Sequence, residues 1–324
     1  MRRSTVRVAL VGAGAMGALH ARVLSRHERT ALTRVVDPSE QAGRAIAGLH
    51  GSEWTPGMGT LSDVDAVVIA SPTEFHHKQA VAALDAGKPV LVEKPLSDNV
   101  AACREIVELA RHKGIPLMCG LLERYNPAVL TATALVDAPV HIVARRHGPY
   151  APRIRTGVAW DLLVHDVDLA IRFFGGHPPT RTTAAAGHFH PSSADGAEDT
   201  VDAVLTFPRG LATVSASRLG QRKVRSLVVS ELDRMVEIDL LRRDVTIHRH
   251  VSHDAATPEG RGYRQQTIVE IPELVTAAEP LATQLDRFVA LLDGEADADA
   301  ERASILPAHE AVAAALSAAV PGCS

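Results

Sequence analysis

The feature of this sequence that most constrains its fold is a short glycine-rich turn. An apolar run from Val6 to Val11, typical of a buried parallel strand, leads straight into it. A helical pattern follows, and a second apolar run, from Ala31 to Val36, ends in Asp37. The turn has the pattern G-x-G-x-x-G, in Gly12, Ala13, Gly14, Ala15, Met16 and Gly17. This order, with an acid about twenty residues beyond the turn, indicates a dinucleotide-binding unit.

Each glycine of the turn has its own physical role in such a unit. Gly12 allows the tight turn, Gly14 lets a pyrophosphate approach the backbone, and Gly17 lets the helix pack against the strand. The N–H groups at the helix start then face the phosphates. Asp37 can accept hydrogen bonds from both ribose hydroxyls but would repel a 2′-phosphate, and no arginine follows it. NAD is therefore predicted in preference to NADP. The residues predicted to bind it here are Gly12, Gly14, Ala15, Met16, Gly17 and Asp37.

Composition excludes several classes of protein. The 324 residues suffice for two domains, and a hydrophobic content of 46% suffices for aliphatic cores. A net charge of −4 without a long basic run argues against nucleic acid as a partner. No apolar run is long enough to span a bilayer, and the N-terminal segment lacks the features of a signal peptide. The three cysteines have no metal-binding spacing. A soluble, cytoplasmic protein is expected.

The pattern of predicted elements divides the chain into two domains. Strand and helix patterns alternate up to about residue 120, which implies a parallel sheet wound on both sides. From about residue 140, strand-like runs follow one another without regular helices, and several alternate apolar and polar residues as in an antiparallel sheet. We therefore predict an NAD-binding Rossmann domain over residues 1–120 and a substrate-binding and oligomerisation α/β domain over residues 121–324, whose C-terminal helices can pack back on the first domain.

Other segments of the second half have weaker patterns. One long helix is predicted from Ala159 to Phe174, and two more from Leu281 to Leu292 and from Ala303 to Ala319. The segments from His188 to Thr200 and from Val251 to Gln266 are polar and are predicted to be loops.

A lysine follows a predicted strand of the first domain. The strand runs from Pro89 to Val92 and continues into Glu93, Lys94 and Pro95. Because ligands of doubly wound sheets bind at the carboxyl ends of the strands, Lys94 is placed where nicotinamide should lie. It can donate and accept a proton there if its pKa is lowered. From placement alone, an ordinary surface lysine explains the position equally well.

The predicted helix from Ala159 to Phe174 carries an unusual set of polar residues. Asp161, His165, Asp168 and Arg172 recur at i, i+4, i+7 and i+11, on one face. If this face lines a cleft, Asp161 and His165 can bind a hydroxyl and move its proton. The alternatives are a charged surface face with i,i+4 pairs, and a metal site of two carboxylates and an imidazole.

Taken together, these motifs resemble the Gfo/Idh/MocA family of sugar and cyclitol oxidoreductases. The resemblance runs along nearly the whole chain in the family's order. It rests on the glycine turn with His20, Ser71-Pro72-Thr73 with His76, Glu93-Lys94-Pro95, and Asp161-x-x-x-His165-x-x-Asp168. It implies a Rossmann domain followed by an α/β domain with a large open sheet. The outer face of that sheet commonly forms homodimers or homotetramers.

The resemblance also implies roles for individual residues. Lys94 and His165 would act at the reacting C–OH group, with Asp161 beside them, and Glu93 would lie near the nicotinamide ribose. Leu163 departs from the pattern, because many members have glycine at that position. The further residues assigned to the cofactor site are Ser71, Pro72, Thr73, His76 and Lys94.

A second stretch suggests the substrate. Residues 121–127 resemble the Glu-Arg-Phe-Asn-Pro segment of family members that are UDP-N-acetylglucosamine 3-dehydrogenases, and so does the segment around Tyr150. The arginines would suit an anionic substrate, although each of them can equally pair with acidic residues. The residues predicted to bind the substrate are Lys94, Arg124, Tyr125, Asn126, Arg153, Arg155, Asp161 and His165.

The resulting hypothesis is an NAD-dependent dehydrogenase of a small-molecule sugar. Hydride would pass between a secondary alcohol of the ring, such as C3 of a nucleotide-linked or amino sugar, and nicotinamide, with no metal ion. The alternatives are a cyclitol or sugar-phosphate dehydrogenase, an NAD-dependent glycosidase of the same fold, and a non-catalytic NAD-binding regulator.

Overall fold

The computed structural model of the chain describes residues 4–152, 155–194, 196–257 and 260–321. The chain forms two compact units. The first comprises Met1–Leu122 with Glu279–Glu310, and the second comprises Glu123–Ala278 with Ala311–Ser324. The predicted boundary at residue 120 is close to the observed change of unit. Residues 279–310, near the C-terminus, also fold with the first unit.

The first unit contains a six-stranded parallel sheet in the order β3-β2-β1-β4-β5-β6. The strands are β1 (Val6–Val11), β2 (Thr30–Val36), β3 (Glu53–Thr55), β4 (Ala66–Ile69), β5 (Val90–Glu93) and β6 (Leu117–Gly120). This order has its topological switch point between β1 and β4, where dinucleotides bind. The predicted Rossmann fold is confirmed. The short strand β3 was missed because three half-exposed residues carry no periodic pattern.

Helices cover the parallel sheet, and its strands β4, β5 and β6 are fully buried as a result. The helices of the described residues are, in chain order, α1 (Ala15–Arg26), α2 (Glu40–His50), α3 (His76–Asp85), α4 (Val100–Lys113), α5 (Pro127–Leu135), α6 (Val164–Phe173), α7 (Pro280–Leu292), α8 (Ala298–Ala303) and α9 (Leu306–Ala318). Among the described residues, no helix has the length and apolar character needed to cross a membrane.

The second unit contains a nine-stranded sheet in the order β14-β13-β12-β11-β7-β10-β9-β8-β15. The strands are β7 (His141–His147), β8 (Arg181–Gly187), β9 (Thr200–Phe207), β10 (Gly210–Ser217), β11 (Val224–Ser230), β12 (Met235–Asp239), β13 (Asp244–Thr257), β14 (Gly260–Glu270) and β15 (Val320–Pro321). Only the β7–β10 and β8–β15 pairs are parallel within this sheet. The predicted large, open, mostly antiparallel sheet is confirmed.

The prediction of a loop from Val251 to Gln266 is wrong, because the described residues of this segment belong to strands β13 and β14, while residues 258 and 259 lie outside the described residues. The two strands pair in continuous register from Ile247 opposite Glu270 to Thr257 opposite Gly260. Residues 265–270 of the edge strand β14 are exposed throughout. Neither face of the strand is buried over residues 265–270, so the sequence has no reason to alternate apolar and polar residues there.

Helix α7 packs against α1 and buries a polar side chain. Gln284 is 0% exposed, and neither atom of its amide makes a hydrogen bond with a described residue. Because an unpaired buried polar group costs about 1–3 kcal/mol, Gln284→Met should stabilise the protein. The expected rise in the midpoint of thermal unfolding is about 2–4 °C per kcal/mol, measured by calorimetry.

The matched control for this prediction is Gln41→Met, on an exposed position of α2. It should change stability by no more than about 0.5 kcal/mol. A lower unfolding temperature for Gln284→Met would contradict the prediction, since it would mean that the amide is hydrogen-bonded in the folded protein.

Candidate active site

The glycine turn between β1 and α1 has the geometry of a dinucleotide site. Gly12 has a φ of +103°, and a Cβ there would lie 2.6 Å from the Ser71 backbone nitrogen. A Cβ on Gly17 would lie 1.9 Å from the Gly12 carbonyl oxygen. Around Gly14, by contrast, such an atom would meet no neighbour within 4 Å. Gly12 and Gly17 therefore allow close packing, whereas the backbone at Gly14 is open to a ligand.

The start of α1 and the end of β2 complete this geometry. No side chain caps α1 at Gly14 and its first turn has no acidic residue, so the first N–H groups can receive phosphate. The Asp37 carboxylate accepts hydrogen bonds from the backbone N–H groups of Ala13 (2.7 Å) and Ser39 (2.8 Å), which fixes it beside the turn. These residues fit an NAD dinucleotide.

We expect Asp37→Asn to weaken the preference for NAD. The substitution keeps one side-chain oxygen, which can accept from one of the two backbone N–H groups, and removes the charge that opposes a 2′-phosphate. The ratio of the NADPH to the NADH dissociation constant should fall by about tenfold or more, because a single charge interaction close to a phosphate exceeds 1.4 kcal/mol. Calorimetric titration measures both constants without a substrate. An unchanged ratio would remove Asp37 from the basis of the NAD preference.

Glu93 is a buried anchor beside Lys94, at the carboxyl end of β5. Its Oε1 lies 2.7 Å from Nε2 of His20, and its Oε2 accepts a hydrogen bond from the Lys94 backbone N–H. Gly120 on β6 permits this arrangement, because a Cβ there would lie 2.9 Å from Oε2. Burial opposes ionisation of Glu93, but His20 and Lys94 outweigh it and lower its pKa. The half-buried Lys94 thus follows a fixed carboxylate.

His76 joins two loops at the same edge of the parallel sheet. Its ring is 1% exposed, with Nδ1 2.9 Å from the Pro95 carbonyl oxygen and Nε2 2.9 Å from the Ser71 carbonyl oxygen. Burial lowers its pKa. Its observed contacts therefore hold the end of β4 to the turn after Lys94. Cofactor binding by Ser71, Pro72, Thr73 and His76 stays a prediction.

In the second unit, the predicted helix from Ala159 to Phe174 begins as a π-helical turn, Ala159–Leu163, and continues as α6. Such turns are frequent at functional sites. Glu198 holds its start, since its carboxylate accepts a hydrogen bond from the Ala159 backbone N–H (2.7 Å). A Cβ on Gly157 would lie 2.1 Å from the same carboxylate. Asp161 lies on this turn, one helical turn before His165.

His165 and Asp168 are buried on α6 and only Arg172 of the four polar residues is exposed, so the interpretation of these residues as a charged surface face is wrong. Asp166 is bonded to the Arg146 guanidinium (2.8 Å), and Asp168 to that of Arg124 (2.6 and 2.8 Å). Both of these carboxylates are thus used to hold the helix. His165 is 8% exposed. Among the described residues, no three His, Cys, Asp or Glu side chains converge as a metal ion would require.

The structure gives two of the predicted substrate-binding residues a structural role. Arg124 is 4% exposed and is paired with Asp168. Asn126 caps α5 with its side-chain oxygen and donates hydrogen bonds to the Glu123 carboxylate and the Leu240 carbonyl. Arg155 is exposed, Tyr125 is half-buried, and Arg153 lies outside the described residues. Substrate binding by these five residues stays a prediction.

Sequence reasoning missed Arg218, which contacts a predicted catalytic residue. Its guanidinium Nη2 donates a hydrogen bond to Oδ2 of Asp161 at 2.9 Å. Arg218 comes directly after β10, which pairs in parallel with β7. The available signal was its position after the carboxyl end of a strand-like run, but the sequence alone did not show that β7 and β10 are parallel neighbours.

Comparisons with known proteins agree with both units. Residues 6–121 match the model of an oxidoreductase family with an NAD-binding Rossmann fold, and residues 129–231 match that of the GFO/IDH/MocA C-terminal domain. Inositol 2-dehydrogenase of Rhizobium meliloti is 28% identical over 312 residues, which is 90% of each chain. UDP-N-acetylglucosamine 3-dehydrogenase of Acidithiobacillus ferrooxidans is 27% identical over 289 residues, 88% of each chain.

Solved structures resemble this chain over nearly its whole length. A structure of the A. ferrooxidans enzyme covers 98% of both chains with a TM-score of 0.84 and 23% identity. GenD2 from gentamicin A biosynthesis, in complex with NAD, covers 98% of this chain and 95% of its own, with a TM-score of 0.81 and 24% identity. These likenesses show a shared fold.

Proposed function

Because the chain belongs to the Gfo/Idh/MocA family of oxidoreductases, we propose that it transfers a hydride between a secondary alcohol of a sugar or cyclitol ring and NAD. The observation that carries this proposal is the dinucleotide geometry at Gly12, Gly14 and Gly17, together with a lysine at the carboxyl end of β5. The curated relatives that cover about nine-tenths of the chain are dehydrogenases of such rings.

In this proposal the chain's own residues position the substrate and move one proton. NAD, when bound, supplies the hydride acceptor. Lys94 and His165 take the proton of the hydroxyl whose carbon is oxidised, and Asp161 orients that hydroxyl. The two ion pairs of α6 support this role, because they fix the residues immediately after His165.

For the substrate we propose two candidates. The first is a nucleotide-linked or amino sugar oxidised at C3, supported by the segment from Glu123 to Pro127 and by the UDP-N-acetylglucosamine 3-dehydrogenase relative. The second is a cyclitol, supported by the inositol 2-dehydrogenase relative. The pairing of Arg124 with Asp168 also favours the second, because it satisfies a guanidinium that was expected to meet phosphate.

The test is a substrate panel with NAD, followed by NADH absorbance. The panel contains myo-inositol and other cyclitols, UDP-N-acetylglucosamine and other UDP-sugars, and sugar phosphates. We expect NADH formation with at least one ring alcohol. Release of an aglycone without net NADH would support the glycosidase alternative instead. Absence of turnover with every compound, despite measurable NAD binding, would support the non-catalytic regulator.

We also propose that the outer face of the nine-stranded sheet joins copies of this chain into a homodimer or homotetramer. On this face Val204 is 38% and Leu211 is 41% exposed, and Val204, Thr213, Val143 and Val228 lie side by side across four strands. A charge placed in this row of three valines and one threonine should prevent assembly. We expect light scattering to show an oligomer for the natural chain and a monomer for Val204→Glu. A monomeric natural chain would exclude the proposal.

A further inference from the structure

Among the described residues of the second unit, three arginines are buried, and they differ in how many of their N–H donors are hydrogen-bonded. Arg124 makes two bonds to the Asp168 carboxylate. Arg146 bonds to both Asp166 and Glu123. Arg218 is 5% exposed, yet its bond to Asp161 is the one side-chain hydrogen bond it makes with the described part of the chain. A guanidinium has five N–H donors, so most of those of Arg218 remain available.

The backbone around Arg218 is firmly held. Its N–H donates a hydrogen bond to the Asp199 carbonyl at 2.8 Å, and the preceding Ser217 carbonyl accepts one from Gly148 at 2.9 Å. The π-helical turn that carries Asp161 packs against β10, which ends at Ser217. The position of Arg218 beside Asp161 is therefore set by the fold.

Unused donors on a buried cation indicate a ligand that supplies oxygen acceptors. None of the Arg218 nitrogen atoms is among the fully buried side-chain atoms of the described residues that lack a partner, so the donors left over from the Asp161 bond still reach solvent, from which a ligand can approach them. Asp161 already balances the charge of Arg218, so a second anion beside the pair would be repelled by that carboxylate. A neutral hydroxyl meets no such repulsion, and it can accept from Arg218 while donating its own proton to a carboxylate oxygen.

We propose that Arg218 binds a neutral hydroxyl of the substrate adjacent to the alcohol that is oxidised, and thereby selects rings that carry a vicinal diol. This inference rests on the proposed function for the position of the oxidised alcohol, since that function places Asp161 beside it. Arg218 is then a specificity-determining residue, and the substrate class at this subsite is a neutral polyol rather than an acid.

The test measures binding without turnover, by calorimetric titration of the NADH-saturated protein with myo-inositol, D-glucose and UDP-N-acetylglucosamine. The parent that binds most tightly is then compared with its monodeoxy analogues. In the natural chain, one analogue should bind about tenfold or more weakly than the parent. Arg218→Met should weaken binding of the parent by about 10- to 100-fold and abolish the difference from that analogue. Arg218→Lys should restore part of the affinity for the parent and part of its difference from the analogue.

The matched control is Arg222→Met, which removes the same charge from an exposed position four residues further along. It should bind the parent as the natural chain does. NADH affinity and thermal unfolding report whether each variant is folded. If Arg218→Met does not fold, the comparison is made with Arg218→Lys. The inference is overturned if Arg218→Met binds the parent normally, if it still discriminates against the analogue, or if none of the three parents binds to the natural holoenzyme.

The two proposals fail in different ways. NADH production that is insensitive to Arg218→Met and Arg218→Lys would contradict the role of Arg218 and leave the dehydrogenase function standing. Polyol binding that depends on Arg218, without NADH production from any ring alcohol, would contradict the dehydrogenase function and leave the hydroxyl subsite standing.

Discussion

Replacement of Lys94 by methionine should lower kcat by about 10²- to 10⁴-fold, the usual contribution of a general acid–base group. Methionine keeps most of the aliphatic stem, which can pack as before, but it has no proton to exchange. The dinucleotide turn and Asp37 do not depend on this side chain, so the NADH dissociation constant should stay the same. Steady-state rates with a substrate from the panel and calorimetric NADH titration provide the two measurements.

The control for Lys94→Met is Lys78→Met, which removes a lysine from an exposed position of α3 in the same unit. Its kcat should match that of the natural chain. Natural kcat in Lys94→Met would remove Lys94 from the mechanism. A parallel loss of NADH affinity would instead mean that Lys94 serves the cofactor rather than the hydroxyl proton.

The Rossmann unit was predictable because its determinants are local. Most of its strands are buried on both faces and therefore read as short apolar runs. The glycine turn is required by the contact of Gly17 with Gly12 and by that of Gly12 with the end of β4, the neighbouring strand in the sheet. Asp37 and Lys94 were then located by the rule that ligands bind at the carboxyl ends of parallel strands. Locating these residues did not require knowing which distant side chain each of them contacts.

The second unit was less predictable, because its polar contacts join residues far apart in the sequence. Arg218 bonds to Asp161, 57 positions earlier, and Arg124 to Asp168, 44 positions later. The i, i+4, i+7 spacing correctly predicted a helix, but it did not reveal that Asp168 would be buried in an ion pair. Choosing among several acids and arginines requires the sheet order, which the sequence did not provide.

One buried pair did leave a local signal. Ile142, Ala144 and Arg146 alternate along β7 on its buried face, so an arginine occupies a position where an apolar residue is expected. A cation at such a position requires a buried acid. Asp166 and Glu123 provide it, and the Arg146 side chain is 1% exposed. Burial opposes the charge of Arg146, but these two carboxylates outweigh it and raise its pKa.

Arg146→Met should therefore lower the free energy of unfolding by about 3–5 kcal/mol, because it leaves Asp166 charged, buried and without its partner. The double variant Arg146→Met/Asp166→Leu should recover part of this loss, since it removes both members of the pair. Urea unfolding followed by circular dichroism measures both. A loss of unfolding free energy below about 1 kcal/mol in the single variant would contradict the prediction, because ion pairs exposed to solvent contribute that little.

The loss of unfolding free energy in Arg146→Met should also depend on pH in a defined direction. Burial raises the pKa of Asp166 even beside Arg146, and without the guanidinium it should rise further. A carboxyl group whose pKa is higher in the folded than in the unfolded state binds more protons when folded, so its stability deficit shrinks as the pH falls. Unfolding of Arg146→Met should thus approach that of the natural chain between pH 7 and pH 5, whereas the double variant should show no such recovery. A stability deficit that does not shrink in acid would contradict the prediction, since no buried carboxyl group with a raised pKa would then account for it.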